Sequence, residues 1–118
     1  MFDRITETSL LYDFYGRLLT ERQREVVELY HEEDYSLAEI AEKFSITRQG
    51  VHDTLKTAEK ALADYEEKLG LVERFEESEK KIARIGAALD RVAEEHKDDA
   101  VLCKKLGDIK DIIEKLDV

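Results

Sequence analysis

The sequence predicts an all-α protein, and three features lead to that prediction. Its 118 residues contain no proline, and 42% are hydrophobic while 41% are charged. Apolar residues recur at intervals of three and four, which is the spacing of one face of an α-helix. No stretch shows the apolar and polar alternation that marks a strand. The length fits about one domain.

The most informative stretch is residues 36–60, SLAEIAEKFSITRQGVHDTLKTAEK. Ser36 followed three residues later by Glu39 is a capping box, in which two side chains satisfy free amides at a helix start. A short helix is therefore predicted from Leu37, with Ala41 small enough to let a second helix approach closely. The inward side chains of this helix would be Leu37, Ile40, Ala41 and Phe44.

A second helix is predicted from Arg48, after a turn formed by residues 45–47. Thr47 is a good N-cap. Two capped helices joined by so short a turn indicate a helix-turn-helix, whose second helix lies in a DNA groove. The alternative is that they form an ordinary corner of an all-α domain. The buried side of the second helix would consist of Val51, Leu55 and Ala58.

Five side chains on the outward face of the second helix are candidates for binding nucleic acid. Arg and Gln can make paired hydrogen bonds to guanine and adenine edges, and Lys neutralises phosphates. His52 has an alternative interpretation as an ordinary surface residue. Gly50 lowers helix stability by about 1 kcal/mol relative to alanine. The candidate residues are Arg48, Gln49, His52, Asp53 and Lys56.

Residues 19–62 resemble the fourth region of the bacterial sigma-70 factors, through the segments LTERQREVVELY and SLAEIA. More closely, TRQGVHDTLKTAEK with DYEEKLGL resembles the YlxM (p13-like) family of small bacterial proteins, which is similar to sigma region four in fold. The resemblance covers most of the chain. It implies a sigma-70 region 4-like helix-turn-helix bundle. It also implies a cytoplasmic regulator associated with the signal recognition particle pathway.

The stretch before the helix-turn-helix predicts two further helices. Residues 1–19 are rich in apolar and aromatic side chains that would cover the open side of the bundle. Stacking of these aromatic rings on bases is the alternative. Thr20 and Gln23 form a second capping box, which predicts a helix over residues 21–30, and residues 31–35 read as a polar connector. In the helix over residues 21–30, the inward side chains would be Val26, Val27, Leu29 and Tyr30.

The second helix of the helix-turn-helix is the one that would enter the DNA groove, and we call it the recognition helix. It is predicted to run past residue 60, because Leu62, Tyr65 and Leu69 continue its apolar positions in a heptad rhythm. Gly70 then marks a cap or a bend. We therefore expect a helix-turn-helix domain over residues 1–70. The long helix would serve as a spine for the rest of the chain or as a dimerisation seam.

Residues 71–118 are predicted to form a C-terminal helical hairpin. The break falls at residues 97–99, where Asp98 or Asp99 would be the N-cap. Such a hairpin packs on its own long helix or on a second subunit, and we predict a homodimer. The apolar faces would consist of Phe75, Ile82, Ile85, Leu89 and Val92 in one helix and Leu102, Leu106, Ile109, Ile113 and Leu116 in the other.

The net charge of −10 argues against strong binding to nucleic acid, because non-specific affinity comes from cations that neutralise phosphates. Residues 1–70 hold 9 basic and 16 acidic residues, whereas residues 47–60 hold 3 basic and 2 acidic ones. A small basic face on an acidic body needs a second copy or a partner to bind DNA or RNA. The rival interpretation is an adaptor that binds a protein, such as the signal recognition particle GTPase, and reads no bases.

No residue pattern indicates an enzyme, a metal site or a cofactor. His31, His52 and His96 lack the spacing that places two imidazoles on one helical face, and there is no glycine-rich phosphate loop. Cys103 is the only cysteine, so an intrachain disulfide is excluded, and we expect it to be a small buried side chain. A cytoplasmic location without a membrane is expected, since neither a signal peptide nor a span-length apolar run occurs.

Overall fold

The computed structural model describes the backbone of residues 4–116 and the side chains of residues 7–116. The described chain is built of helices and contains no strand, which confirms the predicted all-α class. Backbone contacts divide it into two compact units, Met1–Val72 and Glu73–Val118. The α-helices are α1 Arg4–Tyr15, α2 Glu21–Val27, α3 Leu37–Phe44, α4 Arg48–Leu69, α5 Leu71–Glu95 and α6 Ala100–Glu114.

The core of the first unit forms where α4 packs against α1, α2 and α3. The side chains predicted to face inward from α3 and α4 behave as expected, since Ile40 and Val51 are fully buried. Leu37 and Phe44 are half-buried and pack on the edge of the core. The buried core residues are Tyr15, Leu19, Val26, Val27, Leu29, Ile40, Ala41, Val51, Leu55, Ala58, Leu62 and Val72.

The first helix is shorter than the sequence predicted. After Tyr15 the chain tightens into a 3₁₀ turn, Gly16–Leu18, and residues 1–3 of the predicted helix lie outside the described residues. A Cβ atom at Gly16 would lie 2.8 Å from the Tyr12 ring, which explains the glycine at that turn. The Tyr12 hydroxyl donates a hydrogen bond to Glu28, and burial together with this bond raises the pKa of Tyr12 to about 12.

The segment after α2 differs from the polar connector that the sequence predicted. α2 passes directly into a π-helical segment, Glu28–Glu32, and the additional residue in a π turn rotates the side chains that follow it. Tyr30, which we expected inside, is 37% exposed. The side chain of His31 is only 5% exposed, and its Nε2 lies 3.0 Å from Oε2 of Glu59 in α4. This buried contact was not predicted.

The helix-turn-helix has the predicted bounds and caps. Ser36 and Glu39 form the capping box at the start of α3. Ser45 adopts a left-handed backbone with φ of 55°, a conformation that costs a residue other than glycine about 1 kcal/mol. The amide of Ile46 then donates to the carbonyl of Ala41 at 3.0 Å and closes the turn. α4 therefore starts at a fixed angle to α3.

The end of α4 is fixed by a buried tyrosine. The hydroxyl of Tyr15 donates to Oε1 of Glu66 at 2.5 Å and accepts a bond from the amide of Leu71 at 3.1 Å. Burial and the bond to Glu66 raise the pKa of Tyr15. Glu66 also accepts from the amide of Val72 at 3.0 Å, so the two side chains satisfy amides at the start of α5. Gly70 between the helices has φ of 63°, which confirms the predicted cap.

The second unit contains α5 and α6, connected by a short turn. Asp99 caps α6 by accepting from the amide of Leu102 at 3.0 Å, which confirms one of the two predicted caps. Nζ of Lys110 lies 2.8 Å from Oδ1 of Asp90 across the two helices. Cys103 is half-buried rather than buried, because its thiol donates to the carbonyl of His96 at 3.4 Å near the exposed turn.

Part of the apolar face predicted for this unit is exposed to solvent. A pair of helices has a single surface of mutual contact, and this surface is narrower than the apolar stripe that each helix carries. Ile82, Leu89, Leu102, Leu106 and Ile113 are half-buried. Four residues predicted to face inward are exposed: Ile85 at 46%, Val92 at 37%, Ile109 at 45% and Leu116 at 53%.

The crossing of α3 and α4 predicts a large difference between two alanines of α3. Ala41→Glu forces a long charged side chain into a position that is only 8% exposed, and we expect a loss of about 3 kcal/mol or more in unfolding free energy. Ala38→Glu is the control, since Ala38 is exposed on the same helix. Urea unfolding curves that superimpose for the two variants would contradict this packing.

The hydrogen bonds of Tyr15 predict that Phe variants of two tyrosines differ in stability. Tyr15→Phe leaves the Glu66 carboxylate and the Leu71 amide without this partner, and we expect a cost of about 1 to 3 kcal/mol. Tyr65→Phe removes only a long bond of 3.4 Å to the carbonyl of Leu18, so its cost should be below about 0.5 kcal/mol. Thermal unfolding of both variants measures the difference, and equal melting temperatures would refute the role of Tyr15.

Candidate nucleic-acid interface

The rotation of α4 is set by its apolar stripe. Val51, Leu55, Ala58 and Leu62 are at most 4% exposed, so the opposite side of the helix must face solvent. Positions 48, 49, 52, 53 and 56 share that side, because a helix returns to the same face after three or four residues. The first turns of α4 therefore present a continuous outward face.

The start of α4 is held by Thr47, whose Oγ1 accepts from the amide of Gly50 at 3.0 Å. A Cβ atom at position 50 would lie 3.2 Å from that same oxygen. The glycine thus leaves room for the cap, which offsets part of its low helix propensity. The sequence had indicated only the unfavourable effect of Gly50.

The structure brings the five predicted site residues together on the outward face. Arg48, Gln49, Asp53 and Lys56 are exposed, and His52 is half-buried. None of them belongs to the core. Their placement agrees with the sequence, whereas their role in binding stays a prediction.

Asp53 organises the centre of this face. The amide Nε2 of Gln49 donates to Oδ1 of Asp53 at 2.9 Å. The orientation of this amide follows from chemistry, since an ionised carboxylate only accepts. Nδ1 of His52 is buried, has no hydrogen-bond partner and lies 3.7 Å from the same Asp53 oxygen.

We assign the His52 proton to Nδ1, because a lone pair at that position would face the carboxylate. His52 Nε2 and the side-chain oxygen of Gln49 then remain available as hydrogen-bond acceptors. The same face carries donors on Arg48, Gln49 and Lys56. Base edges offer donors and acceptors in comparable patterns.

Lys56 is connected to the interior through one acidic residue, Glu59. Its Nζ lies 3.7 Å from Oε1 of Glu59, and the other oxygen of Glu59 contacts the buried His31. The sequence did not predict the contact between His31 and Glu59, because the two residues are 28 positions apart and belong to different elements. Within the described residues, Arg48 makes no ion pair. It is therefore the cation of this face with the least competition from neighbouring carboxylates.

Among the side chains of residues 7–116 there is no cluster of three His, Cys, Asp or Glu residues that could hold a metal ion. None of the described helices combines the length and the apolar character needed to cross a membrane.

The chain matches the profile of the UPF0122 family over residues 2–115, and that family is described as "Putative helix-turn-helix protein, YlxM / p13 like". The chain belongs to the UPF0122 family. The match covers nearly the whole chain and includes both units. It confirms the resemblance to YlxM proteins that the sequence motifs indicated. The family description names a helix-turn-helix, which α3 and α4 form here.

Curated relatives carry the same family name. A UPF0122 protein of Thermoanaerobacter sp. (strain X514) is 47% identical over 118 residues, covering all of both chains. One from Desulforamulus reducens is 50% identical over 107 residues, 91% of each chain. Another, from Caldanaerobacter subterraneus subsp. tengcongensis, is 56% identical over 85 residues, 72% of this chain and 73% of its own.

The cap of α4 gives a test of how the face is positioned. Thr47→Ala removes the oxygen that holds the first turn, and we expect a loss of about 1 kcal/mol in unfolding free energy. Thr57→Ala is the control, since Thr57 is exposed on the same helix and should change stability by less than about 0.5 kcal/mol. Equal urea midpoints for the two variants would show that Thr47 does not hold the helix start.

Proposed function

We propose that this UPF0122 protein is a regulatory protein that binds nucleic acid through the outward face of α4. The observation that carries the proposal is the capped start of α4, where Arg48, Gln49 and Lys56 are exposed beside His52 and contribute nothing to the core. Such a helix start is the part of a helix-turn-helix that enters a groove. The helix-turn-helix description of the family supports the same function.

The nucleic acid we propose is either operator DNA or the RNA of the signal recognition particle. The resemblance to YlxM proteins and to sigma-70 region four supports a cytoplasmic regulator with a role in the signal recognition particle pathway. Both ligands are polyanions that basic side chains contact through phosphates. The amide of Gln49 and the guanidinium of Arg48 would add contacts to base edges.

The charge of the chain limits how tightly one copy can bind. The face carries two cations and the carboxylate of Asp53, on a protein with a net charge of −10. With two phosphate contacts, affinity would depend only weakly on salt, and the slope of log affinity against log salt concentration would be roughly −2. Strong binding therefore requires a second copy or a further partner, and we propose that the protein acts as a homodimer.

The second candidate function is that of an adaptor that binds a protein and reads no bases. The acidic surface favours it, as does the position of Asp53 in the middle of the face, where its carboxylate would repel phosphates. The partner would be a protein such as the signal recognition particle GTPase. In this case the acidic outer faces, rather than Arg48, would form the binding surface.

The two candidate functions predict different effects on nucleic-acid binding when one cation is removed from the face. Arg48→Ala should leave folding within about 0.5 kcal/mol and reduce the magnitude of the slope of log affinity against log salt by about 0.9 for duplex DNA. Lys68→Ala is the matched control. It removes an equal charge from an exposed position of α4, twenty residues beyond Arg48 and about 30 Å along the axis, so the slope should stay unchanged.

Binding should be measured with a mixed-sequence DNA duplex and with the RNA of the signal recognition particle. Asp53→Asn removes a negative charge from the face and should strengthen binding by about threefold at low salt. If the parent binds neither probe at low salt, or if Arg48→Ala and Lys68→Ala behave alike, the proposed interface is wrong. The adaptor function would then become the leading hypothesis.

A further inference from the structure

The second unit leaves large apolar side chains exposed along both of its helices. Within its described part, residues 73–116, no side chain is buried to the degree found in the first unit. A contiguous exposed apolar patch on a small unit marks an interaction surface. The exposed large apolar side chains of this unit are Ile85, Val92, Val101, Ile109, Ile112 and Leu116.

These apolar side chains lie on one side of the α5–α6 pair, which we call the open face of the hairpin. Ile85 and Val92 lie about 60° to 80° around α5 from its half-buried positions, at 100° per residue. The exposed apolar residues of α6 are displaced in the same rotational sense, which in an antiparallel pair leads to the same side. On the opposite side, Nζ of Lys110 lies 2.8 Å from Oδ1 of Asp90 and joins the two helices.

Cations form the α5 edge of the open face. Lys81, Arg84 and Arg91 are exposed, and together with Ile85 and Ala88 they line a shallow groove of about 690 Å³ along α5. The three cations lie within about 80° around the helix and span about 15 Å of its length. We call them the basic strip, and it runs directly beside the exposed apolar residues.

The basic strip differs in charge from the rest of this acidic chain. Residues 80–93 hold 4 basic residues and 1 acidic one, whereas the whole chain has a net charge of −10. The acidic one, Asp90, pairs with a lysine of α6 on the opposite side. Within residues 73–116 the cations of the strip form no ion pair, because the paired cations there are other lysines. Glu77 and Glu95 lie one turn beyond its two ends and limit its length.

We infer that the open face binds an amphipathic helix of a partner protein, with carboxylates along the edge that meets Arg84 and Arg91. This helix would lie in the groove between α5 and α6 and complete a three-helix bundle. Its apolar side would cover Ile85 and Ile112, and its carboxylates would accept paired hydrogen bonds from the guanidinium groups. The surface belongs to the second unit, so the inference does not depend on the function proposed for α4.

The repeat along α5 matches the repeat of a facing helix. Arg84 and Arg91 are seven residues apart, as are Ile85 and Val92. In packed helices, apolar residues at this spacing form the seam, and the charged residues beside the seam determine the partner. A helix whose carboxylates repeat every seven residues, about 10.5 Å, therefore matches the charged row and the apolar row together.

The charge of the strip disfavours a second copy of this chain as the occupant. Two open faces that met around Ala88 would bring two basic strips towards each other, and like charges across an interface weaken it. An acidic partner helix brings opposite charges to the same positions. Charge complementarity therefore selects a partner of different composition.

Nucleic acid also fits the open face less well than a helix does. Phosphates would neutralise the basic strip, but they would leave the large apolar side chains uncovered. Stacking of bases requires aromatic rings, and residues 76–116 contain no Phe, Tyr or Trp. An amphipathic acidic helix matches both the cations and the apolar residues.

The first experiment measures the binding of a designed helical peptide to the full-length chain by fluorescence anisotropy at low salt. The probe has three heptads, with leucine at the seam positions and glutamate beside them, and its control carries lysine in place of glutamate. The glutamate peptide should bind with a dissociation constant of roughly 10 to 100 µM, and the lysine peptide at least about tenfold more weakly. Equal binding of the two peptides, or no binding of the glutamate peptide, would overturn the inference.

The second experiment reverses the charge of the strip. Arg84→Glu with Arg91→Glu should weaken binding of the glutamate peptide by about tenfold or more, because two attractive contacts become repulsive. Lys43→Glu with Lys68→Glu is the matched control, since it changes the net charge equally at two exposed positions of the first unit. Its effect should stay below about twofold. Equal losses for the two double variants would show that net charge alone attracts the peptide, and the open face would not be its site.

The third experiment tests the apolar part of the open face. Ile85→Gln with Ile112→Gln should weaken binding of the glutamate peptide by about tenfold. Both side chains are exposed, at 46% and 66%, so circular dichroism should show an intact fold. Leu18→Gln with Leu69→Gln is the control, because these side chains are 54% and 46% exposed in the first unit. The apolar contact is refuted if the two pairs of substitutions have the same effect.

Two measurements identify a different occupant of the open face. By analytical ultracentrifugation, the parent and the Ile85→Gln, Ile112→Gln variant should have the same oligomeric state. A dimeric parent that this variant dissociates would show that a second copy covers the face. A single DNA strand of about twenty nucleotides should not displace the glutamate peptide. Displacement that is lost in the Arg84→Glu, Arg91→Glu variant would show that the strip binds phosphates, and either result would overturn the inference.

Discussion

The burial of one apolar stripe of α4 is the constraint on which the first unit depends. Val51, Leu55, Ala58 and Leu62 pack against the three preceding helices, and this contact fixes both the position and the rotation of α4. The outward face is the geometric consequence of that burial. Any functional side chain on α4 must therefore lie at positions that the stripe leaves free, and in the first turns of the helix these are the positions of the candidate interface.

Local rules of the sequence predicted the elements that frame this stripe. The capping boxes at Ser36 and Thr20, the N-cap Thr47 and the glycine cap at position 70 all occur as expected. Each depends on residues within a few positions of one another, so a single sequence contains the necessary information. The predicted outward positions of Arg48 and Lys56 followed from the same short-range periodicity.

Contacts between distant residues were not predictable in the same way. The buried pair of His31 with Glu59 and the network of Tyr15 with Glu66 connect positions 28 and 51 residues apart. The π segment after α2 also rotated Tyr30 outward, which a strict helical period does not anticipate. In the hairpin, heptad spacing correctly indicated apolar faces. It did not distinguish the side chains between the two helices from those left exposed.

The charge distribution of the chain limits how strongly it could bind nucleic acid. An acidic body with a small basic face would bind a polyanion weakly, and the carboxylate of Asp53, which accepts a hydrogen bond from Gln49, would weaken that binding further. The second copy that we propose would double the number of such faces.

The central claim is that nucleic acid contacts the outward face at the start of α4, and NMR titration tests it most directly. Amide and side-chain signals of the labelled full-length chain are followed as a DNA duplex or the signal recognition particle RNA is added at low salt. We predict that the largest shifts occur at residues 48–56, with small changes at residues 63–69 of the same helix. Shifts confined to other elements, or none at millimolar ligand, would contradict the account.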